Sequence, residues 1–200
     1  KDGKPVPGLA GVTTKDLGGV KVALIPVAQD TSPQVASTGD LKFLPTAQSA
    51  IDAAKAARKD GADIVVGVVQ APRSDDMTMF TSKAFDVILS GDDHELVVQY
   101  NGITVHVDTS TEANYLVPVD LKVDVEEKDG KRTVKWEPNF RFIDTASVTP
   151  DPETQKLVDT YLADLDKELN VVIGKTKGPL DSRRNVVRTQ EAAIGNLIAD

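Results

Sequence analysis

Ala62-Asp63-Ile64-Val65-Val66-Gly67-Val68-Val69 is a near-continuous apolar run, set between Gly61 and a polar loop that opens at Gln70. A run of this kind suits a strand covered on both faces, as parallel strands in α/β sheets are. Upstream, Ala47, Ala50, Ile51, Ala54 and Ala57 recur at helical spacing between Ala47 and Arg58, and Gly61 stands where a helix C-cap is expected. Further upstream, Val20 to Val27 follows the Gly18-Gly19 turn and reads as a strand rich in β-branched and apolar residues. Downstream, the polar stretch Asp75 to Lys83 supplies a turn or two of helix before Phe85 to Leu89, a further buried strand. Strand, helix, strand, short helix, strand is the order of an α/β sheet.

After the loop Ser90 to Glu95 the pattern changes. Leu96 to Gln99, the turn Tyr100-Asn101-Gly102 and Ile103 to Val107 read as an antiparallel hairpin. Leu116 to Val125, the charged turn Glu126 to Lys131, and Thr133 to Trp136 read as another. Residues 147–170 form a linker and a helix, with Asp151 as N-cap, Pro152 at the first helical position and Glu153 in the first turn. The stripe Leu157, Val158, Tyr161, Leu162, Leu165 and Leu169 suits a helix that bridges two domains. Val171 to Thr176 reads as a strand, Gly178 to Asp181 as a turn, and Glu191 to Asp200 as the opening turns of an amphipathic helix. The start at Lys1, without an initiator Met or leader-like stretch, and this unterminated helix both read as cuts within a longer protein.

The 23 basic and 31 acidic residues give a formal net charge of −8, which excludes a general nucleic-acid binder, since such affinity comes from clustered Lys and Arg neutralising phosphates. With 40% hydrophobic and 27% charged residues, the chain can bury a core. No run approaches the roughly 20 apolar residues of a membrane span. The absence of cysteine removes disulfides, thiolate metal sites and Cys nucleophiles, and leaves the compartment open.

In an open α/β sheet, ligands lie beyond the carboxyl ends of the strands. Two loops meet that condition: Gln70-Ala71-Pro72-Arg73-Ser74-Asp75-Asp76 and Gly91-Asp92-Asp93-His94-Glu95. Carboxylate and imidazole in so short a span suit a divalent metal; a solvated acidic turn is the alternative. His106 shares a face with Thr104, opposite Ile103, Val105 and Val107, and reads as a solvated strand histidine. The pair Arg183-Arg184 reads as facing water or a neighbouring carboxylate, although it could meet a phosphate. Trp136, Phe140 and Phe142 read as core, because aromatics are only 4% of the chain. Ser74 and Ser90 have no His at recognisable triad spacing and receive no nucleophilic role.

Asp86-Val87-Ile88-Leu89-Ser90-Gly91-Asp92-Asp93-His94-Glu95, followed by Tyr100-Asn101-Gly102, resembles the stretch of the 5'-nucleotidase and 2',3'-cyclic-nucleotide phosphodiesterase family that ends in Gly-His-x-His. Gly19 to Ile25, Gly61 to Val66, Pro179 to Glu191 and Gly195 to Asp200 extend the resemblance over almost the whole chain. It implies an α/β fold: residues 1–146 as the later part of a metallophosphoesterase αββα sandwich, 147–170 as linker and bridging helix, and 171–200 as the start of an α+β C-terminal domain. It further implies a nucleotide phosphohydrolase in which two cations clamp the phosphate and activate water. The metal positions carried over are Gln70, Asp92 and His94, with Gln70 and Asp92 standing where the family has His. Oxygen donors there suit harder ions, Mn2+ or Mg2+ as well as Zn2+, at lowered affinity. The resemblance also implies a nucleotide or other small phosphoester as partner and a bacterial periplasmic or extracellular location. No catalytic residue of the family falls in this chain, so the 200 residues alone are expected to be inactive. The alternative is a degenerate relative that kept the fold, lost the metal centre and serves as a binding or scaffold protein.

Overall fold

The computed structural model describes residues 6–172 and 174–199. They fall into two compact units, one ending at Val148 and the other beginning at Thr149.

In the first unit, β1 (Thr13–Leu17) and β2 (Val20–Ala28) form a hairpin. Its turn is Gly18-Gly19, with φ of 65° and 88°, a two-residue geometry that glycine adopts without strain. The sequence does not announce β1, because Thr13-Thr14-Lys15-Asp16-Leu17 is largely exposed edge strand with no apolar alternation. After β2 come a single turn α1 (Ser32–Val35), then α2 (Thr46–Lys59), β3 (Ile64–Gln70), α3 (Arg73–Ser82) and β4 (Val87–Gly91). The hairpin β5 (Leu96–Tyr100) and β6 (Val105–Thr109) follows. One sheet results, in the order β1-β2-β3-β4-β6-β5. The inner strands β2, β3, β4 and β6 run parallel, and β1 and β5 are antiparallel edges. The α/β expectation holds, with a mixed central sheet.

A short strand β7 (Tyr115–Leu116) then precedes the long hairpin β8 (Val119–Lys128) and β9 (Lys131–Phe140), after which β10 (Ile143–Asp144) pairs back with β7. The hairpin turns on Asp129-Gly130 alone, both left-handed, so its strands run longer than the charge pattern suggests.

Alternation along the strands divides the core. On one face Ala47, Ala50, Ile51, Ala54 and Ala57 of α2 and Met79 and Phe80 of α3 bury Ala23, Ile25, Val65, Val69 and Ile88. On the other, Val87, Val105 and Val107 pack with Leu121, Trp136 and Phe140 of the long hairpin. Trp136 and Phe140 are thus core, as expected. Phe142 is not: it is 55% exposed.

The two layers meet at Asp86, at the start of β4. Its Oδ2 accepts the Val65 backbone N–H at 2.6 Å and pairs with Arg58 from the end of α2. Its Oδ1 accepts Trp136 Nε1–H at 3.0 Å. A buried carboxylate with a donor at each oxygen stays cheap to keep, whereas removing it strands its donors.

In the second unit, α4 (Pro152–Leu169) starts as expected: the Asp151 side chain accepts the Thr154 backbone N–H at 2.8 Å. The residues of its apolar stripe are exposed. The strand expected over Val171 to Thr176 is absent from the described residues of that stretch, where no second strand offers a ladder; Ile173 lies outside the described residues. Two short helices follow, α5 (Arg184–Val187) and α6 (Ala193–Ala199); Asp200 also lies outside the described residues. Arg183 pairs with Asp181, the carboxylate partner expected for that basic turn. Among the described residues no helix is long and apolar enough to cross a membrane.

Two stability changes follow from this packing. Asp86→Ala should cost about 2–4 kcal/mol in denaturant unfolding, because the Val65 and Trp136 donors lose their acceptor. Gly67→Ala should also destabilise, by about 1–3 kcal/mol, since its Cβ would lie 3.2 Å from Val69 Cγ2 and 3.3 Å from the buried Phe85 ring.

Candidate functional site at the strand tips

Because β3 and β4 are parallel neighbours, their carboxyl ends emerge side by side, with Gln70 opposite Gly91 in the ladder. One residue later, Asp92 meets Gln70: the Gln70 amide Nε2 donates to Asp92 Oδ1 at 2.6 Å. Gln29, from the loop after β2, reaches the same oxygen at 3.4 Å. The contact partners of this carboxylate are therefore neutral amides, and among the described residues no Lys or Arg pairs with it. The backbone is held in conformations that L-residues avoid, at φ 112° for Asp92 and 59° for His94. Strain of this sort concentrates at functional sites. His94 is exposed on the same loop, and no hydrogen bond joins it to Gln70 or Asp92. Arg73 at the start of α3 pairs with Glu95, strapping the two loops together at the surface; exposed pairs of this kind contribute little energy.

Beneath the loops lies a buried polar group that the sequence reading missed. Asp76, in the first turn of α3, is 2% exposed, His106 2% and Asp108 4%. The helix N-terminus favours a carboxylate at Asp76. Ser90 Oγ donates to Asp76 Oδ2 at 2.6 Å, and His106 Nε2 lies 3.2 Å from the same oxygen. His106 is thus not the solvated histidine expected from its alternation with Val105 and Val107. Its face of β6 looks onto α3, with the Phe80 ring 6.2 Å away, so both faces of this inner strand are covered. The available signal was the near-continuous apolar character of β3: a sheet covered on both faces there is covered at its neighbours too. Burial, the dominant effect, pushes the Asp108 carboxyl above its usual range, partly offset by the nearby His106.

An open cleft of about 630 Å³ adjoins the site, with Pro26, Val27, Ala28, Val68 and Val69 among its walls and Gln70 at its polar end.

Comparison with known proteins gives relatives in sequence and in fold. The chain is 25% identical over 193 residues to a trifunctional nucleotide phosphoesterase of Bacillus subtilis, covering 92% of this chain and 13% of that protein. It is 36% identical over 84 residues to a 5'-nucleotidase of Vibrio vulnificus, covering 42% of this chain and 14% of the relative. The chain is similar to members of the 5'-nucleotidase family. Its fold agrees with a 5'-nucleotidase precursor from Thermus thermophilus, at a TM-score of 0.65 and 18% identity over 96% of this chain and 41% of that one. No family model matches the chain. It spans only a fraction of the 5'-nucleotidase relatives.

Of the three positions the 5'-nucleotidase resemblance assigns to metal, the fold brings Gln70 and Asp92 into contact and leaves His94 on the loop surface. The chemistry suits a cation in part. Asp92 offers a carboxylate with no competing positive partner, and Gln70 an amide oxygen once its amide is turned. Among the described residues, however, no group of three or more His, Cys, Asp or Glu side chains gathers to hold a metal.

The buried carboxyl gives a pH prediction. With its folded value raised, Asp108 binds its proton more tightly in the folded than in the unfolded chain, so the stability it confers is present at low pH. That stability is lost as pH rises from the ordinary carboxylate value through the raised one. Asp108→Asn should therefore be more stable than the wild type at neutral pH, with the difference shrinking as pH falls through the carboxylate range, measured by urea unfolding.

Proposed function

We propose that the full-length protein containing this chain is a metal-dependent nucleotide phosphohydrolase, and that Gln70, Asp92 and His94 supply part of the shell of a divalent cation, Mn2+, Mg2+ or Zn2+. The observation that carries the reading is the pairing of Gln70 with Asp92 at adjoining strand tips, where the Asp92 backbone is held at φ 112°. Side chains on one loop alone would bear no fixed relation to each other; a parallel ladder fixes these two. Agreement with nucleotide phosphoesterases and 5'-nucleotidases in sequence supports the substrate class, a small phosphoester. The net charge of −8 supports it too, since an acidic protein attracts phosphate poorly without cations.

When bound, the cation supplies a Lewis acid and a water of lowered pKa for in-line attack. The residues of this chain have narrower duties. Asp92 would present charge to the cation, Gln29 would hold its carboxylate in orientation, Gln70 would add its amide oxygen once the amide is turned, and His94 would add a nitrogen donor from the loop. The remaining ligands belong to parts of the protein outside this chain.

A second reading is favoured by one observation, the lack of a three-member His, Cys, Asp or Glu cluster among the described residues: a relative with the fold and without the metal centre, acting as a binding or scaffold protein. Metal content separates the two. The full-length protein should retain about two divalent ions per chain by elemental analysis. It should also hydrolyse nucleoside monophosphates or 2',3'-cyclic nucleotides in Mn2+ or Mg2+. No turnover above the metal-free background overturns the phosphohydrolase reading. Asp92→Ala should weaken Mn2+ binding by about 10- to 100-fold, and Gln70→His should shift preference from Mg2+ towards Zn2+, read by titration of the metal-stripped protein.

A further inference from the structure

Asp76 and Asp86 are both buried carboxylates that join helix to strand, yet they differ in one respect. Asp86, at the amino ends of the strands, has donors at both oxygens. Asp76, at the carboxyl ends, receives Ser90 and His106 on Oδ2 alone, and among the described residues its Oδ1 has no partner. His106 Nδ1 and Asp108 Oδ1 beside it are likewise buried without partners among the described residues. Met79, Phe80, Val69 and Ile88 fill the same layer, so apolar side chains at 76, 90 and 106 would close the space without stranding any polar atom. Packing alone does not account for this group.

Its position does. Asp76 lies six residues beyond Gln70, and Ser90 two residues before Asp92. Ser90 stands opposite Val69 on β3 and Asp108 on β6, while His106 stands opposite Ile88. One carboxylate oxygen therefore gathers three elements directly below the loops: α3, which continues from the Gln70 loop; β4, which runs into Asp92; and β6. With Asp76 ionised, Nε2 of His106 carries the proton and donates it.

We propose that Asp76 is a positioning residue for the strand-tip site, its carboxylate clamped between Ser90 and His106 so that the tips of β3 and β4 present Gln70 to Asp92. This deepens the reading of the strand tips as the functional site and rests on it for its purpose. Of the groups that face the clamp, Asp75 comes from its own helix and Asp108 from β6. Neither carries a positive charge, so His106 and Ser90 are the donors on which the orientation depends.

The test reads the Gln70 side-chain amide in the full-length protein, labelled with 15N-glutamine and assigned by its loss in Gln70→Leu. In the wild type this amide, bonded to Asp92, should be shifted from the free-amide position and exchange slowly with water. Ser90→Ala deletes one hydroxyl and spares the fold; it should move the signal towards the free position and speed exchange at least about tenfold, the loss expected of one broken charge-assisted hydrogen bond. His106→Leu should do the same, whereas His106→Gln, which keeps an N–H directed at Asp76, should restore the wild-type signal. A Gln70 signal unmoved by Ser90→Ala, or moved equally by His106→Gln and His106→Leu, overturns the proposal. The readout needs neither metal nor substrate. A responsive signal in a protein that binds no metal counts against the phosphohydrolase reading alone, and an unresponsive one in an active enzyme counts against the positioning role alone.

Discussion

The parallel ladder between β3 and β4 is the constraint from which the rest of the site follows. Interstrand hydrogen bonds set Val66 against Val87 and carry that register through to Gln70 against Gly91. A slip by one residue would exchange the two faces of a strand and send Val65 and Val69 away from the helices. Burial on both sides makes such a slip costly, so the apolar core fixes the register and the register delivers Gln70 and Asp92 to each other. Asp86 holds this arrangement at the opposite end by tying β3, α2 and β9 to the start of β4.

Much of this could be read from the sequence. The Ala-rich face of α2, the apolar run of β3 and the Asp151-Pro152-Glu153 helix start each obey a local rule strong enough to survive tertiary context. The loops with the candidate residues were legible for the same reason, since in a parallel sheet the site lies at a known end of the strands. What escaped depends on partners distant in the chain. The β1 strand is polar and exposed, and exists because β2 offers it an edge. His106 alternates with valines as a surface residue would, and its burial depends on α3, which lies about thirty positions earlier. Asp76 sits beside Asp75 in a polar stretch, and nothing local tells which of the two points inward.

The two buried carboxylates illustrate different uses of polarity in a core. Asp86 has a donor at each of its oxygens and serves the join between layers. Around Asp76 the hydrogen bonding is incomplete, and the incompleteness coincides with left-handed backbone at Asp92 and His94 just above. Unsatisfied polar atoms and backbone strain both raise the energy of the folded state. Their coincidence falls at the carboxyl end of the sheet, beside Gln70 and Asp92, and not at the amino end held by Asp86.

The alanines of α2 bring one more consequence. Ala47, Ala50, Ala54 and Ala57 face the sheet with no side-chain torsion to adjust, so apart from Ile51 little that is adjustable lies between the helix backbone and β2 and β3. Mechanically, such an interface acts as a hard contact. Close alanine packing of this kind leaves few side-chain rearrangements by which helix and strands could shift against each other, so adjustability is concentrated in the loops along the rim of the sheet.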